Sequence, residues 1–552
     1  MVGLVQGLGA AATPLVTLEW VAVYDGPCSG GDFASDMCLD SEGNVIVTGS
    51  GDMTATNHDT VTIKYDPDGN VLWTSTYDDP YGDDVDFDRA FAVAVDSDDN
   101  VYIAGWARGA TSTDYLTVAY SPDGEELWVA TWDSPFHMFD WADDLVVDSE
   151  GRIYVSGTIY TDTQGEDLAI VCYDSSGELL WYDIYSGEDA TSDFPYSLHL
   201  CEADAIVLYA VGYADFSYYL EDADGLVLAY DTDGEILWEY HYDDPGWDGF
   251  FDAVFDSSGN AYITGCTSVD DDPGDLLFLA LDGSGEEMWT TTCDGGAGGL
   301  DAGYTLAMDA SGNLYASGYA NGVVPDDPYS DPFLYADGFV AACDPDGDVL
   351  WTSVDEGGDL DESLWSLAIS DDGYLYVTGC TYAPTITDNV GHIRIYDTDG
   401  NELWSDEFHQ TDETGDYTLL VLAGDDGDFY ILGATFTDAY AYDIPLLKYH
   451  SLGSATDYVD EVKDVIDDLP ASAFSKNADQ RVNALSSKLD AVAKMIDDGD
   501  YQDAIDKLEQ DIIPKMDGVE QGNAKDWITD PDAQQELCGM LQALIDYLGT
   551  MI

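Results

Sequence analysis

The chain has 552 residues, more than one ordinary hydrophobic core serves, so repeats or several domains are expected. Its 113 Asp and Glu against 14 Lys and Arg give a formal net charge of −99, which excludes nucleic acid and anionic membrane as partners, since both are polyanions. Hydrophobic residues at 45% and aromatics at 12% supply enough apolar material to fold, so this is not a disordered acidic tail, but a fold so charged needs counter-ions, either high salt or bound divalent cations.

Residues 1–15 are apolar with small residues at Ala10–Ala12 and no preceding Lys or Arg, and read as a signal remnant or as an ordered arm. No run reaches the roughly 18–20 apolar residues of a membrane span. The next segment, TLEWVAVYDGP (17–27), has the pattern of a strand. From residue 32 a unit of four strand signals then repeats. In one copy these are FAVAVD (91–96), VYIAG (101–105), YLTVAY (115–120) and ELWVATW (126–132), separated by turns such as SDDN and SPDG. Copies start near residues 32, 88, 140, 193, 248, 301 and 361, and each ends on a strand that carries a tryptophan: Trp73, Trp128, Trp181, Trp238, Trp289, Trp351 and Trp404. An eighth set, YTLLVLAG, DFYILGAT and DIPLLKYH, lacks its fourth strand. Segment 17–27 matches that missing strand, and Trp20 stands where its tryptophan belongs. Four short antiparallel strands per repeat are the mark of a propeller blade. The expected fold is mainly β, an eight-bladed β-propeller over 16–450 closed by the N-terminal strand, which removes both open edges. The eight tryptophans are expected to pack between blades.

Residues 451–456 read as a linker and 457–552 as a small α-helical domain of about four helices, with apolar residues at 3–4 spacing, Asp before helix starts and Gly after their ends. This part carries 8 of the 14 Lys and Arg.

The blade motifs DGFFDAVFDSSGNAYITG and DGLVLAYDTDGEILW resemble the SBBP-type β-propeller repeats of secreted bacterial and archaeal proteins, over about 430 residues. The stretch from NALSSKLDAVAKMIDDGDYQDAIDKLEQDIIPKMDG to DWITDPDAQQEL is similar to the FIMAH helical domain. Together these resemblances imply a secreted or cell-surface location, and neither implies a catalytic residue. Eight-bladed quinoproteins are similar in blade number and tryptophan placement, but the adjacent cysteines of their cofactor site are absent here.

Candidate site residues are carboxylates. One set recurs at the start of each first strand: Asp32, Asp88, Asp140, Asp193, Asp248, Asp301, Glu362 and Asp416. A second opens the third strand at Asp59, Asp114, Asp167, Asp224, Asp275, Asp337 and Asp443, with Val390 the exception. Both fall on one rim, where they either hold loop N–H groups or ligate a metal. Two local runs, Asp83, Asp84, Asp86, Asp88 and Asp270, Asp271, Asp272, Asp275, have the hard, closely spaced oxygens that suit Ca²⁺, the one cofactor expected. The D-P-D-G segments are expected to be turns, because the Gly comes too early for a helix-loop-helix calcium loop. Rim aromatics, among them Phe136, Phe139, Trp141, Trp247, Phe250 and Phe251, are expected to anchor loops or to meet sugar. The nine cysteines are scattered singly, with no C-x-x-C, so zinc is not expected. No H-E-x-x-H or G-x-S-x-G occurs. The reading is a non-enzymatic, extracellular structural or adhesive protein that associates with itself through its helices, or with surface proteins or polysaccharide. The alternative is a lectin or glycan-active enzyme at the acidic, aromatic rim.

Overall fold

The computed structural model describes residues 15–550 except 28–30, 55–56, 81–85, 162–164, 188–190, 204, 218–221, 245, 270–271, 297–298, 323–335, 356–360, 371, 383–388, 409–414, 425–426, 439–440, 453–454, 475–477, 498, 516–526 and 529. Eight antiparallel sheets form the blades of a propeller. Their inner strands are Phe33–Leu39, Arg89–Val95, Asp140–Val147, Ser192–Cys201, Gly249–Phe255, Leu300–Met308, Asp361–Ile369 and Gly415–Ala423, and each packs beside the inner strand of the next blade. Seven sheets run in chain order from the inner to the outer strand. In the eighth, Leu15–Tyr24 lies outside Ala441–Leu452, so the strand 17–27 closes the last blade as its sequence implied. Blade 1 also receives Asp86–Phe87, parallel to its third strand.

Two glycine positions of the repeat explain how the blades fit. In every blade the inner strand skips one residue against its neighbour, a β-bulge, at Ser35, Phe91, Asp143, Tyr196, Phe251, Tyr304, Trp365 and Leu419. The closing glycine of the second-strand motif sits opposite, and a Cβ there would come within 1.9–2.5 Å of an inner-strand carbonyl oxygen. The other glycine ends the turn between third and outer strands, with φ of +81° to +85°. Against it lies the tryptophan ring of the preceding blade, 2.5–2.7 Å from where a Cβ would stand. That tryptophan also donates its indole N–H to a carbonyl of the same turn at 2.8–3.3 Å: Trp20 to Pro67, Trp73 to Pro122, Trp128 to Ser175, Trp181 to Thr232, Trp238 to Gly283, Trp289 to Pro345 and Trp351 to Thr398. Turn and tryptophan are thus two halves of one latch between blades. In blade 8 the third and outer strands come from opposite ends of the chain, so no tight turn joins them.

The chain divides into two compact units, one over Glu19–Lys448 and one that takes in Tyr449–Ile552. In the latter, α1 (Ala455–Asp468), α2 (Ala478–Asp497), α3 (Tyr501–Lys507) and α4 (Pro531–Thr550) bury Val459, Val462, Leu485, Leu489, Leu537 and Leu541 in one core. Three of its lysines are tied internally: Lys463 to Asp490, and Lys488 and Lys507 to Asp511. No described helix is long and apolar enough to cross a membrane.

Candidate functional site: carboxylate pockets between blades

The eight carboxylates that open the inner strands are all buried, at 0–2% exposure. Five of them bind the loop that enters their own blade. Asp32 accepts the N–H of Gly26 at 2.6 Å, Asp140 that of Ser134 at 2.7 Å, Asp193 that of Gly187 at 2.6 Å, Asp248 that of Asp244 at 2.9 Å and Asp301 that of Gly295 at 2.5 Å. Asp88 does the same with Asp79 at 2.8 Å and also accepts the N–H of Arg108 at 3.1 Å. Glu362 instead pairs with the guanidinium of Arg394. Asp416 begins blade 8 in the same place, with its backbone N–H bonded to Asn389.

These carboxylates do not stand alone. Four seams gather three acids whose oxygens lie within 4.8 Å of one another: Asp59, Asp78 and Asp88; Asp114, Asp133 and Asp140; Asp275, Asp294 and Asp301; and Asp443, Asp25 and Asp32. In each, the third strand and the end of the outer strand of one blade supply two acids, and the next inner strand supplies the other. The end-of-strand members were not among the expected site residues. Their signal is an acid five residues beyond the repeat tryptophan, present as Asp25, Asp78, Asp133, Asp243, Asp294 and Glu356 but replaced by Ser186 and His409.

Of the two acidic runs, Asp83, Asp84, Asp270 and Asp271 lie outside the described residues, and Asp86 and Asp272 are described only as backbone in strands. Asp88 and Asp275 do enter acid clusters, whose other described members come from other strands. Acids at equivalent positions of separate strands thus meet across a seam.

The pockets hold charge poorly. Burial, with the charges of Asp133 and Asp114 behind it, pushes Asp140 up to about 7. Burial and then Asp133 raise Asp114 to about 6. Asp301 rises to about 6 from burial and from Asp275 and Asp294. The turns between third and outer strands behave in the opposite way. Asp174 and Asp282 accept the hydroxyls of Ser176 and Ser284, and like Asp66 they accept backbone N–H groups two and four residues on, which holds all three below the usual carboxylate range. Those carboxylates are occupied by their own turns.

A second acidic array lines the inner strands one residue past the bulge. Asp36, Asp144 and Asp252, in blades 1, 3 and 5, each bind the following N–H with one oxygen and the inner strand of the next blade with the other, at Val93, Leu198 and Leu306, 2.7–2.8 Å away. Ser366 takes their place in blade 7 and accepts Val421 N–H at 3.2 Å. Burial pushes Asp36 and Asp252 to about 7 and their neighbour Asp143 to about 8, and it lowers His199 to about 4. The bulge residues of blades 4–7 make an aromatic arc, with ring centroids 4.7 Å apart for Tyr196 and Phe251, 5.3 Å for Phe251 and Tyr304, and 5.7 Å for Tyr304 and Trp365. Of the rim aromatics, Phe136 and Phe139 are exposed, but Phe250 is fully buried in the core between blades 4 and 5. The eight described cysteines are free thiols.

Residues 112–326, less than half of the chain, match a family model described as outer membrane protein assembly factor BamB, a β-propeller repeat. No curated protein matches the chain. Among solved structures it is similar to a eukaryotic initiation factor (11% identity, 77% of this chain and 89% of that one, TM-score 0.38) and to the polysaccharide lyase Uly1 (11%, 65% and 89%, 0.39). It is also similar to the Pan2 WD40 domain of Neurospora crassa (10%, 66% and 92%, 0.38). At that level of similarity nothing of their functions transfers.

Proposed function

We propose that this chain is a non-enzymatic, secreted or cell-surface structural or adhesive protein, its propeller a rigid platform and its helical unit the element that meets further copies. The observation that carries this reading is the distribution of the titratable groups. A catalytic site concentrates unlike groups at one irregular place. Here the buried acids recur at the same station of blade after blade, and most hold a backbone N–H, which is the work of architecture. The charge of −99 keeps such a platform away from nucleic acid and anionic lipid and leaves proteins and neutral polysaccharide as partners. With Lys463, Lys488 and Lys507 engaged inside the helical unit, apolar contacts would provide most of the affinity between copies. The resemblances to SBBP repeats and FIMAH domains support the same extracellular reading. The test is light scattering and negative-stain imaging of the full chain beside a chain ending at Ser451. Assembly confined to the full chain supports the proposal, and two monomers at high concentration refute the assembly.

The aromatic arc favours a second reading, a polysaccharide-binding lectin, since flat rings beside carboxylates suit sugar faces and hydroxyls. Glycan screening separates the two: specific binding lost in Trp365→Ala would favour the lectin.

A further inference from the structure

The seam between blades 2 and 3 gathers more negative charge than its own donors answer. Asp140 is fully buried; one oxygen accepts the Ser134 N–H, and its Oδ1 has no hydrogen-bond partner. Asp114 is 9% exposed, and its Oδ1 is likewise buried and unpartnered. Asp133, at the solvent side, brings a third carboxylate within 4.8 Å of both, and its Oδ2 also meets Nδ1 of the exposed His137 at 2.7 Å. Two buried carboxylate oxygens without a donor are a desolvation cost that folding alone does not offset. Space is kept for them: a Cβ on Gly109 would stand 2.0 Å from Asp114 Oδ2.

We propose that Asp114, Asp133 and Asp140 form a divalent cation site of the calcium type, which ties the third and outer strands of blade 2 to the inner strand of blade 3. Oxygens on opposite sides of a calcium ion stand about 4.6–5.2 Å apart, and this triad falls inside that span. Carboxylate oxygens with an opening to water through Asp133 suit a hard ion that completes its shell with solvent. The triads Asp59–Asp78–Asp88, Asp275–Asp294–Asp301 and Asp443–Asp25–Asp32 repeat the arrangement and are assigned the same role.

The seam between blades 6 and 7 is an internal control. There the buried Glu362 and its neighbour Asp355 are met by the guanidinium of Arg394, a cation built into the chain. One seam therefore answers the buried acid with a side-chain cation, where others present a pocket of acids. This site stands whether or not the chain is an adhesive scaffold, because it concerns the joint between blades and not the outer surface.

The experiment measures calcium bound to the metal-stripped full chain by equilibrium dialysis in molar NaCl, with Mg²⁺ as a parallel arm. Terbium emission, sensitised by the Tyr115–Trp132 pair beside the site, is the second readout. Asp133→Asn is the informative variant: Asp133 is solvent-facing, so the fold does not depend on it as it does on Asp140. About four calcium ions per chain are expected, with Mg²⁺ held less well. Asp133→Asn and Asp294→Asn should each remove one ion, and Glu178→Gln, in an exposed turn, none. The proposal is overturned if folded Asp133→Asn keeps the full calcium count and terbium emission, or if molar NaCl abolishes all binding.

Discussion

Two seams of the same ring treat the same buried acid differently. Between blades 6 and 7, Glu362 and Asp355 face Arg394, which is itself 6% exposed. Between blades 2 and 3, Asp140 and Asp114 face a third acid, Asp133, whose basic neighbour His137 is exposed. Both seams carry the tryptophan–glycine latch at their turn end, Trp351 with Gly400 and Trp128 with Gly177. The neutral half of each joint is therefore constant, and the electrostatic half varies. A buried charge needs a partner, but the partner need not belong to the chain.

The largest effect should come from removing the side-chain cation. Arg394→Met leaves the buried Glu362, with the partly exposed Asp355 beside it, without a positive partner, a loss of about 3–5 kcal/mol. Differential scanning calorimetry should show a lower Tm that added Ca²⁺ does not restore. Restoration by Ca²⁺ would mean that this seam, too, takes an ion, and the contrast between the seams would vanish.

Next comes the half the seams share. Gly177→Ala and Gly400→Ala each put a Cβ at a φ above +80° and within 2.5–2.6 Å of a tryptophan ring, at a cost of about 2 kcal/mol. The two variants should lower Tm equally, with or without Ca²⁺. Unequal shifts would show that the latch is not the constant half of the joint.

The parts of the latch were legible, since strand alternation, turn and tryptophan recur together in each blade and the tryptophans were expected between blades, but that each tryptophan meets the next blade's turn was not. The blade number and the closure by Leu15–Tyr24 followed from the same periodicity. The carboxylate pockets were only partly legible. Asp114 and Asp140 stood out as repeated positions, but Asp133 did not, because its mark, an acid five residues beyond the repeat tryptophan, is broken by Ser186 and His409. The pockets among the described residues arise between strands of adjacent blades, a convergence that no run along the chain displays. Arg394 was invisible for the same reason: it lies 32 residues from Glu362 and meets it only once the seam has formed.

A smaller effect concerns pH and the inner-strand acids. Asp36 and Asp252 sit near 7 in the folded protein, well above their unfolded value. The folded state therefore binds more protons between those values, so their contribution is fully present below about pH 4 and is lost as pH rises through 7. The turn acids Asp66, Asp174 and Asp282 are lowered and act in the other direction, losing their contribution as pH falls below about 4. Metal-stripped protein at constant ionic strength should melt several degrees higher at pH 5 than at pH 8. Asp36→Asn and Asp252→Asn should flatten that slope. A Tm that climbs steadily from pH 5 to pH 8 would contradict the assigned burial.

The smallest effect is the sharpest on the difference between the seams, because its sign changes. Asp133 is solvent-facing, and its contact with His137 is an exposed pair worth at most about 1 kcal/mol. In the metal-stripped chain at pH 8, Asp133→Asn removes a charge that repels Asp114 and Asp140, so Tm should rise by a degree or two. With Ca²⁺ present the same change removes a ligand. The wild type then gains RT ln(1 + [L]/Kd) at this seam, and the variant does not, so the order of the two Tm values reverses. Arg394→Met shows no such reversal, since its seam carries its own cation. A variant that melts above the wild type in both conditions would leave repulsion as the whole account of the pocket, and one that melts below it in both would make Asp133 a structural group with no cation to hold.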